Sequence, residues 1–477
     1  MSSNVNGRLP LPLTGGLADG VCANVETAVA SETARIFQCM RREVRAAYSC
    51  GTAVRARLTN RRRHRSRIHI VETTSFAGFN HWQYISRTTR GIFAGSVLPG
   101  VLHFASATEP GRSPAPRPTS AALGEALPQE ERVGFAVVGL GGLTREQVLP
   151  AFRASKRAKL TALVSGDPAK AQKLGEKNSV GPESIYDYKG FDRIRDNKNV
   201  QVVYIVLPNS MHAEFTERSA RAGKNVLCEK PMEVSSMKCQ RMIDACRKAK
   251  VKLMIAYRIQ YEPMNRAMQL LVRKKAFGEV KYIESTNGQR VENTEWRLSK
   301  SLSGSGAVGD VGIYCINTIR FLLGSEPTEV FARTFRPPND SRFREVDATA
   351  IWQMRFPTGV LANCMCSFDT YRASSYRVVG QRGLFGIDPA FPYHGLKMFA
   401  QPDPSPLPQM AESDQFANEL DHMADCVING RQPYTPGEEG LQDQRIIEAI
   451  FESARTTRAV TLPRFDKVDP FRGPPPE

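Results

Sequence analysis

A lysine, an aspartate and a tyrosine are the residues of this chain best suited to moving a proton. Lys230 closes the run Val226-Leu227-Cys228-Glu229-Lys230-Pro231. The apolar part of that run reads as a buried parallel strand. Pro231 has no amide proton and biases Lys230 away from helix, so the strand stops there. Lys230 is thereby placed at the carboxyl end of a strand, the edge at which open α/β sheets bind ligands. Asp310 and Tyr314 lie four residues apart in Gly304-Ser305-Gly306-Ala307-Val308-Gly309-Asp310-Val311-Gly312-Ile313-Tyr314, so they share one face of a helix. A carboxylate and a phenol together at a glycine-rich helix start suit general acid/base work. Plain readings stand beside each: a surface lysine before a turn, a capping aspartate, a core tyrosine.

These groups need a scaffold, and the chain supplies one from Val133 onward. Gly134–Val138 is a buried-strand run that enters Gly139-Leu140-Gly141-Gly142-Leu143-Thr144 and then a helical pattern through Val148, Leu149 and Phe152. Strand, glycine turn and helix in that order form a dinucleotide cradle. Gly139 permits the turn, and Gly141 and Gly142 with Leu143 let backbone approach a pyrophosphate at the helix N-terminus. Thr144 stands where the fingerprint asks for its third glycine, which weakens the match. The next strand, Leu160–Val164, ends in Ser165-Gly166-Asp167-Pro168, with Lys170 opening a helix. A hydroxyl and an ammonium at that strand end suit a ribose 2′-phosphate, so NADP is favoured over NAD. Asp167 argues the other way unless it is only a cap ahead of Pro168.

Further strands are expected at Val202–Val206, Val226–Cys228 and Lys252–Ala256, with helices over Ala213–Ala222 and Ser235–Lys250. That alternation predicts a doubly wound sheet. Leu207-Pro208-Asn209-Ser210-Met211-His212 follows a strand end and should line the cofactor crevice. His212 has two readings, a helix cap or a group facing the nicotinamide, and the first is the commoner fate of a loop histidine. Beyond Tyr257-Arg258 a helix near Pro263–Lys275 precedes alternating strands at Glu279–Thr286, Glu329–Thr334, Thr349–Phe356, Gly359–Ser367 and Ser375–Val379, as in an antiparallel sheet packed on one face. Two amphipathic helices, Asp414–Asn429 and Gly440–Arg455, should pack back on the first domain.

The fold class is therefore α/β: an N-terminal Rossmann doubly wound parallel sheet, residues 132–256, followed by an α+β domain with a large, mostly antiparallel open sheet, residues 257–465. Residues 466–477 are a tail. The chain has 477 residues and a net charge of +17. Residues 1–132 hold 17 Arg, no Lys and 9 acidic residues, and the remaining excess is spread thinly. Without a basic helix or an RNA-type aromatic motif, a nucleic-acid partner is not expected. No membrane partner is expected either, since no run approaches the roughly 18 apolar residues of a transmembrane helix. The ten cysteines form no CxxC pair or zinc spacing, so no metal site is expected.

Residues 1–85 are an unassigned basic extension, either disordered or an over-called reading frame. In residues 86–107 a basic lead, Ser86–Arg90, precedes a small-and-apolar stretch and Ala105-Ser106-Ala107, the order of a secretory signal. The protein is periplasmic if that segment is a true signal, and cytoplasmic otherwise. Residues 108–131, with Pro110, Pro114, Pro116, Pro118 and Pro128, read as an extended arm.

Taken together, Gly139-Leu140-Gly141, Leu207-Pro208-Asn209 with His212, Glu229-Lys230-Pro231, Asp310-x-Gly312-x-Tyr314 and Pro433-x-x-Pro436-Gly437-Glu438-Glu439-Gly440 with Asp443 resemble the glucose–fructose oxidoreductase / inositol dehydrogenase family of nicotinamide-dependent sugar oxidoreductases. Ser165 with Lys170, Glu295-Trp296, Trp352–Phe356 and Asp388-Pro389-Ala390 with Tyr393 add to the likeness, which covers about residues 131–465. Many members of that family carry His where Tyr314 stands. The resemblance implies hydride transfer from C1 of an aldose to tightly held NADP, with coupled ketose reduction as a further expectation. A dehydrogenase with exchangeable NAD(P) and a non-catalytic sugar- or dinucleotide-sensing protein are the alternatives. It also implies that Tyr314 is the acid/base, Lys230 the cation that makes it usable and Asp310 the group that orients sugar hydroxyls. An unperturbed phenol, with a pKa of about 10, is otherwise a poor base near neutrality. Arg258, Tyr314 and Tyr393 are expected to contact the sugar. Glu229 orders the cofactor or the turn, and the Lys230–Pro231 bond is expected to be cis. A homo-oligomer, dimer or tetramer, through the C-terminal sheet is implied as well.

Overall fold

The computed structural model describes residues 125–292, 296–402 and 407–465, together with the backbone of two strands farther upstream. Those strands, β1 (Thr52–Thr59) and β2 (Arg67–Ser75), pair antiparallel within a separate unit, Met1–Pro110. The poor hydrophobic periodicity of the basic extension did not predict them. The signal-like segment 86–107 and residues 108–124 of the arm lie outside the described residues.

The first sheet of the larger unit is wholly parallel. Its strands are β3 (Val133–Val138), β4 (Ala158–Val164), β5 (Ile185–Tyr186), β6 (Val202–Ile205), β7 (Asn225–Glu229) and β8 (Leu253–Ala256). They lie in the order β5-β4-β3-β6-β7-β8. Such strands are covered on both faces, which is why they read as continuous apolar runs rather than alternating ones. The chain winds outward from β3 to β5, then returns to β6 beside β3. The carboxyl ends of β3 and β6 therefore flank the topological switch point, where a doubly wound sheet opens a crevice. Helices α1 (Leu149–Ala154), α2 (Pro168–Lys177), α3 (His212–Arg221) and α4 (Ser236–Ala249) make the crossovers.

The second sheet has eight strands: β9 (Val280–Arg290), β10 (Glu329–Phe335), β11 (Thr349–Arg355), β12 (Leu361–Ser367), β13 (Asp369–Gly380), β14 (Leu384–Ile387), β15 (Met398–Gln401) and β16 (Val460–Thr461). Their order is β15-β14-β13-β9-β12-β11-β10-β16. Every pairing is antiparallel except β9 with β12. The short strands β5, β14, β15 and β16 carry too few residues for a period-two signal and were not expected from the sequence.

One face of this sheet is buried. Ala350, Trp352 and Met354 of β11 point inward, while Ile351 is 53 % exposed on the other side. Helices α5 (Pro263–Arg273), α6 (Lys300–Ser303) and α7 (Ile313–Leu323) belong to this domain. A Cβ on Gly312, just ahead of α7, would stand 2.9 Å from Cys366 Sγ and 3.2 Å from the Trp352 ring. Glycine there lets the helix that carries Tyr314 press onto the sheet. The helical stretch Lys300–Leu323 is long and apolar enough to cross a membrane by length and composition, yet 83 % of its most apolar 18-residue window is covered inside the fold, as in a core helix.

The last helices return to the first domain, as their amphipathic pattern predicts. Phe416, Leu420 and Met423 of α8 (Gln415–Ile428) share one core with Phe135, Val137 and Tyr204 of the parallel sheet. The segment before α9 (Gly437–Thr456) covers the edge strand β8: the Ile255 amide donates to Thr435 O at 2.7 Å, and Thr435 Oγ1 donates to Ile255 O at 2.6 Å. An otherwise open sheet edge is closed in this way. Arg320 of α7 is fully buried between Glu439 and Asp443 of α9, with Glu326 on its other side. Asn317 donates to both α9 carboxylates, at 3.0 and 2.9 Å. This buried network fixes α7, and with it Tyr314, against the C-terminal helix.

Candidate active site

The glycine turn occupies the switch point. Gly139 has φ +93°, and a Cβ there would lie 2.2 Å from Val206 O at the end of β6. Only glycine satisfies both conditions. Gly141 and Gly142 are exposed, with nothing within 4 Å of the first missing Cβ and only Glu146 Oε1, at 3.8 Å, near the second. That open backbone, leading into a wide π turn (Thr144–Val148) and α1, fits a pyrophosphate. Thr144, the departure from the glycine fingerprint, is buried and donates its hydroxyl to Gly139 O at 2.6 Å. It clamps the turn from inside, so the missing third glycine costs the cradle nothing.

At the end of β4, Asp167 caps α2 by accepting from the Lys170 amide at 3.0 Å. The cap reading of Asp167 is thus the observed one, and the Lys170 amide bond holds its carboxyl below the usual range. Ser165 Oγ accepts from the Asp167 amide at 3.0 Å and is nearly out of solvent, while the Lys170 ammonium is half exposed, 3.4 Å from Asp167. Lys170 is the accessible half of the pair expected to meet a 2′-phosphate.

Two expected cofactor contacts are corrected by the structure. His212 is fully buried. Its Nδ1 lies 3.0 Å from Pro231 O and 3.3 Å from Met232 O, and its Nε2 2.9 Å from Leu207 O. With carbonyls at both nitrogens it cannot face a nicotinamide. It ties the loop after β6 to the turn after β7. Burial pushes its pKa down, against the pull of those carbonyls. Asn209 is buried too and donates to Ser303 O at 2.9 Å, so it anchors α6. Leu207 and Pro208 remain at the crevice, where Leu207 Cδ2 would be 2.9 Å from a Cβ on Gly139.

Of the two roles open to it, cofactor contact or support of the turn, Glu229 shows the contacts of the second. Buried, it accepts from Tyr204 Oη at 2.8 Å and from the Lys230 amide at 3.2 Å, and burial raises its pKa against the opposing pull of Lys230. The Lys230–Pro231 bond is cis, as expected. The Lys230 side chain, largely shielded, leaves its own domain. Nζ donates to Asp310 O at 2.9 Å, lies 3.7 Å from Asp310 Oδ1 and sits 4.6 Å from the centre of the Tyr314 ring. The three residues singled out for acid/base chemistry are therefore brought together across 80 residues of sequence.

Around them stand groups that sequence reasoning placed differently or missed. Arg297 Nε donates to Asp310 Oδ2 at 2.9 Å. Burial pushes the Asp310 carboxyl up, but Arg297 and Lys230 outweigh it and hold the carboxyl below its usual range, so it is ionised near neutrality. Nothing in the local sequence marks Arg297, which lies in a single 3-10 turn, Trp296–Leu298. Tyr204 did carry a signal, because a tyrosine in a buried strand needs a partner for its hydroxyl. Arg258 was expected to touch the sugar; its observed contacts are with the protein itself. It is 5 % exposed, and its donors are taken by Tyr314 Oη at 3.2 Å, Phe391 O at 2.6 Å, Pro392 O at 3.5 Å and Gln415 Oε1. Tyr393, 38 % exposed, lies with its ring 4.7 Å from the Arg258 guanidinium, at the rim of the same cluster. Among the described residues no group of His, Cys, Asp and Glu could hold a metal ion.

The chain matches two family models. One, described as the oxidoreductase family, NAD-binding Rossmann fold, covers residues 133–257, and the other, its C-terminal alpha/beta domain, covers residues 270–462. It is 32 % identical over 338 residues to a D-xylose 1-dehydrogenase [NADP(+)] of Haloarcula marismortui, covering 69 % of this chain and 93 % of that protein. A D-xylose 1-dehydrogenase (NADP(+)) 2 of Haloferax volcanii is 30 % identical over 334 residues, covering 69 % of this chain and 99 % of the relative. Among solved structures, the aldose-aldose oxidoreductase from Caulobacter crescentus, complexed with glycerol, is 41 % identical. It superposes with a TM-score of 0.68 over 69 % of this chain and all of that one.

The clamp at His212 yields a test. Replacing His212 by Ala should leave the Leu207, Pro231 and Met232 carbonyls without their buried partner and lower stability by about 1–3 kcal/mol in urea unfolding. A cost below roughly 0.5 kcal/mol, the scale of an ordinary surface substitution, would mean the ring does not hold the two turns together.

Proposed function

Because the chain belongs to the GFO_IDH_MocA oxidoreductase family, we propose that it is an NADP-dependent sugar oxidoreductase acting at C1 of a glucose-like aldose. The carrying observation is the convergence of Lys230, Asp310 and Tyr314 at the sheet edge that also bears the glycine turn. The xylose dehydrogenase relatives and the aldose-aldose oxidoreductase support sugar as the substrate class, and the NADP(+) in the names of the former supports the nucleotide.

The exposed backbone of Gly141 and Gly142 would receive the pyrophosphate, and Lys170 with Ser165 the 2′-phosphate. When bound, the nicotinamide supplies the hydride acceptor. Tyr314 takes the proton of the sugar hydroxyl as the adjoining C–H bond is broken. Lys230 sets a positive charge over the Tyr314 ring and pins the start of the helix through Asp310 O. The ionised Asp310 accepts from sugar hydroxyls and so fixes which carbon faces the hydride acceptor. We extend the proposal to retention of the cofactor between an oxidative and a reductive half-reaction. A dehydrogenase that exchanges its cofactor is the second reading, favoured by the xylose dehydrogenase relatives. The outward face of the second sheet, where Phe335, Ile351 and Leu361 are more than half exposed, is the proposed dimer or tetramer surface. Exposed large apolar side chains on one sheet face suit a contact surface.

Absorbance in the reduced-nicotinamide band decides between the two readings. The purified protein should carry nucleotide, gain that band on adding glucose or xylose, and bleach on adding fructose or a second aldose. Copurification without nucleotide would leave the exchanging dehydrogenase. Lys230→Met should lower hydride transfer by at least 100-fold, on the scale of general acid–base catalysis, while nucleotide binding persists. Activity within a few-fold of the parent would remove Lys230 from its assigned role.

The 2′-phosphate site has its own check. Ser165→Ala with Lys170→Ala should weaken NADP by at least tenfold more than NAD in equilibrium binding, as expected for loss of a charge-assisted contact. An equal effect on both nucleotides would place the 2′-phosphate elsewhere. Export from the cytoplasm is proposed on residues 86–107 alone. Sequencing the amino terminus of protein recovered from its native host should then find a start near Thr108, and an intact Met1 would refute processing.

A further inference from the structure

The cation that touches the Tyr314 oxygen is not Lys230 but Arg258. Lys230 lies over the ring face and spends its contacts on Asp310. Arg258 Nε donates to Tyr314 Oη at 3.2 Å. The guanidinium is held rigidly for this by Phe391 O, Pro392 O and Gln415 Oε1, and it lies between two phenol rings, 4.9 Å from the centre of Tyr314 and 4.7 Å from that of Tyr393.

Every one of those acceptors is neutral, and among the described residues Arg258 forms no ion pair. Two buried carboxyls lie behind it. Burial pushes Glu229 up, and burial with Glu229 pushes Glu419 up, while the Arg258 charge pulls both back down; among the described residues neither is hydrogen-bonded to the guanidinium. An unpaired buried guanidinium is costly, and an anion brought into contact with it offsets that cost. Tyr314 is the only directly bonded acceptor that can become one. Its competitor across the guanidinium, Tyr393, is pushed up to about 12 by burial first and by Tyr314 next, so it stays protonated. The other charged groups facing Tyr314 are Lys230, from the turn after β7, and Asp310, one turn earlier in its own helix. The latter is already paired with Arg297 and Lys230.

We propose that Arg258 is a positioning residue that stabilises the phenolate of Tyr314 and aims its oxygen, leaving Lys230 to fix Asp310 and the helix start. The inference rests on the reading of Tyr314 as the proton acceptor. In the reaction the substrate hydroxyl proton moves to the Tyr314 oxygen, which Arg258 Nε continues to contact once it is neutral. The guanidinium neither gains nor loses a proton.

The test is the pH dependence of sugar oxidation by the NADP-loaded protein. Removing the cation makes the phenolate harder to form, so more alkaline solution is needed. Arg258→Gln should displace the acid limb of the kcat profile upward by about 1–2 pH units and lower kcat about 10–100-fold near neutrality, with KM within a few-fold. The loss should shrink at alkaline pH, and Arg258→Lys should recover part of it. An unmoved limb with the loss falling on KM would overturn the inference and return Arg258 to direct sugar binding. Should Arg258→Gln fail to fold, Arg258→Lys and Gln415→Leu must displace the limb in the same direction by less, and an unmoved limb in both also overturns it. Tyr314→Phe is the control for the underlying reading: sugar oxidation within a few-fold of the parent would sink that reading, whatever Arg258 does.

Discussion

One ammonium group joins the two halves of this fold at the place where chemistry is proposed. Lys230 belongs to the parallel sheet by its backbone and to the second domain by its side chain, through Asp310 O and carboxylate. Its aim is set by Glu229 beneath it, which accepts from the Lys230 amide. The turn is held from the far side by His212. If Lys230 pointed elsewhere, Asp310 would face Arg297 alone, and Tyr314 would lose the cation over its ring. The sheet edge, the helix start and the acid/base pair depend on that one reach.

Burial decides which of the many ionisable groups here stay charged. Around the site it raises Glu229, Glu419 and Tyr393 and lowers His212. Asp310 escapes because two cations outweigh its desolvation. Farther back, Arg320 keeps its charge because Asp443, Glu326 and Glu439 surround it. Low local dielectric strengthens all of these interactions and makes any unpaired one expensive.

Much of this was legible in the sequence because it is local. The strand, glycine turn and helix at Val133–Phe152 announce a cradle through backbone constraints that only certain residues meet. The four-residue spacing of Asp310 and Tyr314 survives into the fold, although a π turn intervenes. What failed was the direction of side chains. His212 and Asn209 sit at the right sheet edge, but a polar group there reads the same whether it faces a ligand or a neighbouring carbonyl. Arg258 meets acceptors 133 and 157 residues away, and no window of sequence holds that information. Arg297 had no periodic signal at all. The upstream strands β1 and β2 do alternate, over Val54–Leu58 and Arg67–Ile70, but these short runs lie inside an arginine-rich stretch that reads as an extension.

The return of α8 to the first domain bears on how the chain is made. Phe416, Leu420 and Met423 complete the core that β3 and β6 begin, yet α8 is translated roughly 160 residues after β8 ends. At ordinary rates of synthesis that is a delay on the order of ten seconds or more. During it, the nucleotide-binding half stands on the ribosome with one helical face uncovered and the edge of β8 still open. Finishing the amino-terminal domain is thus an event that waits for the carboxyl end of the chain.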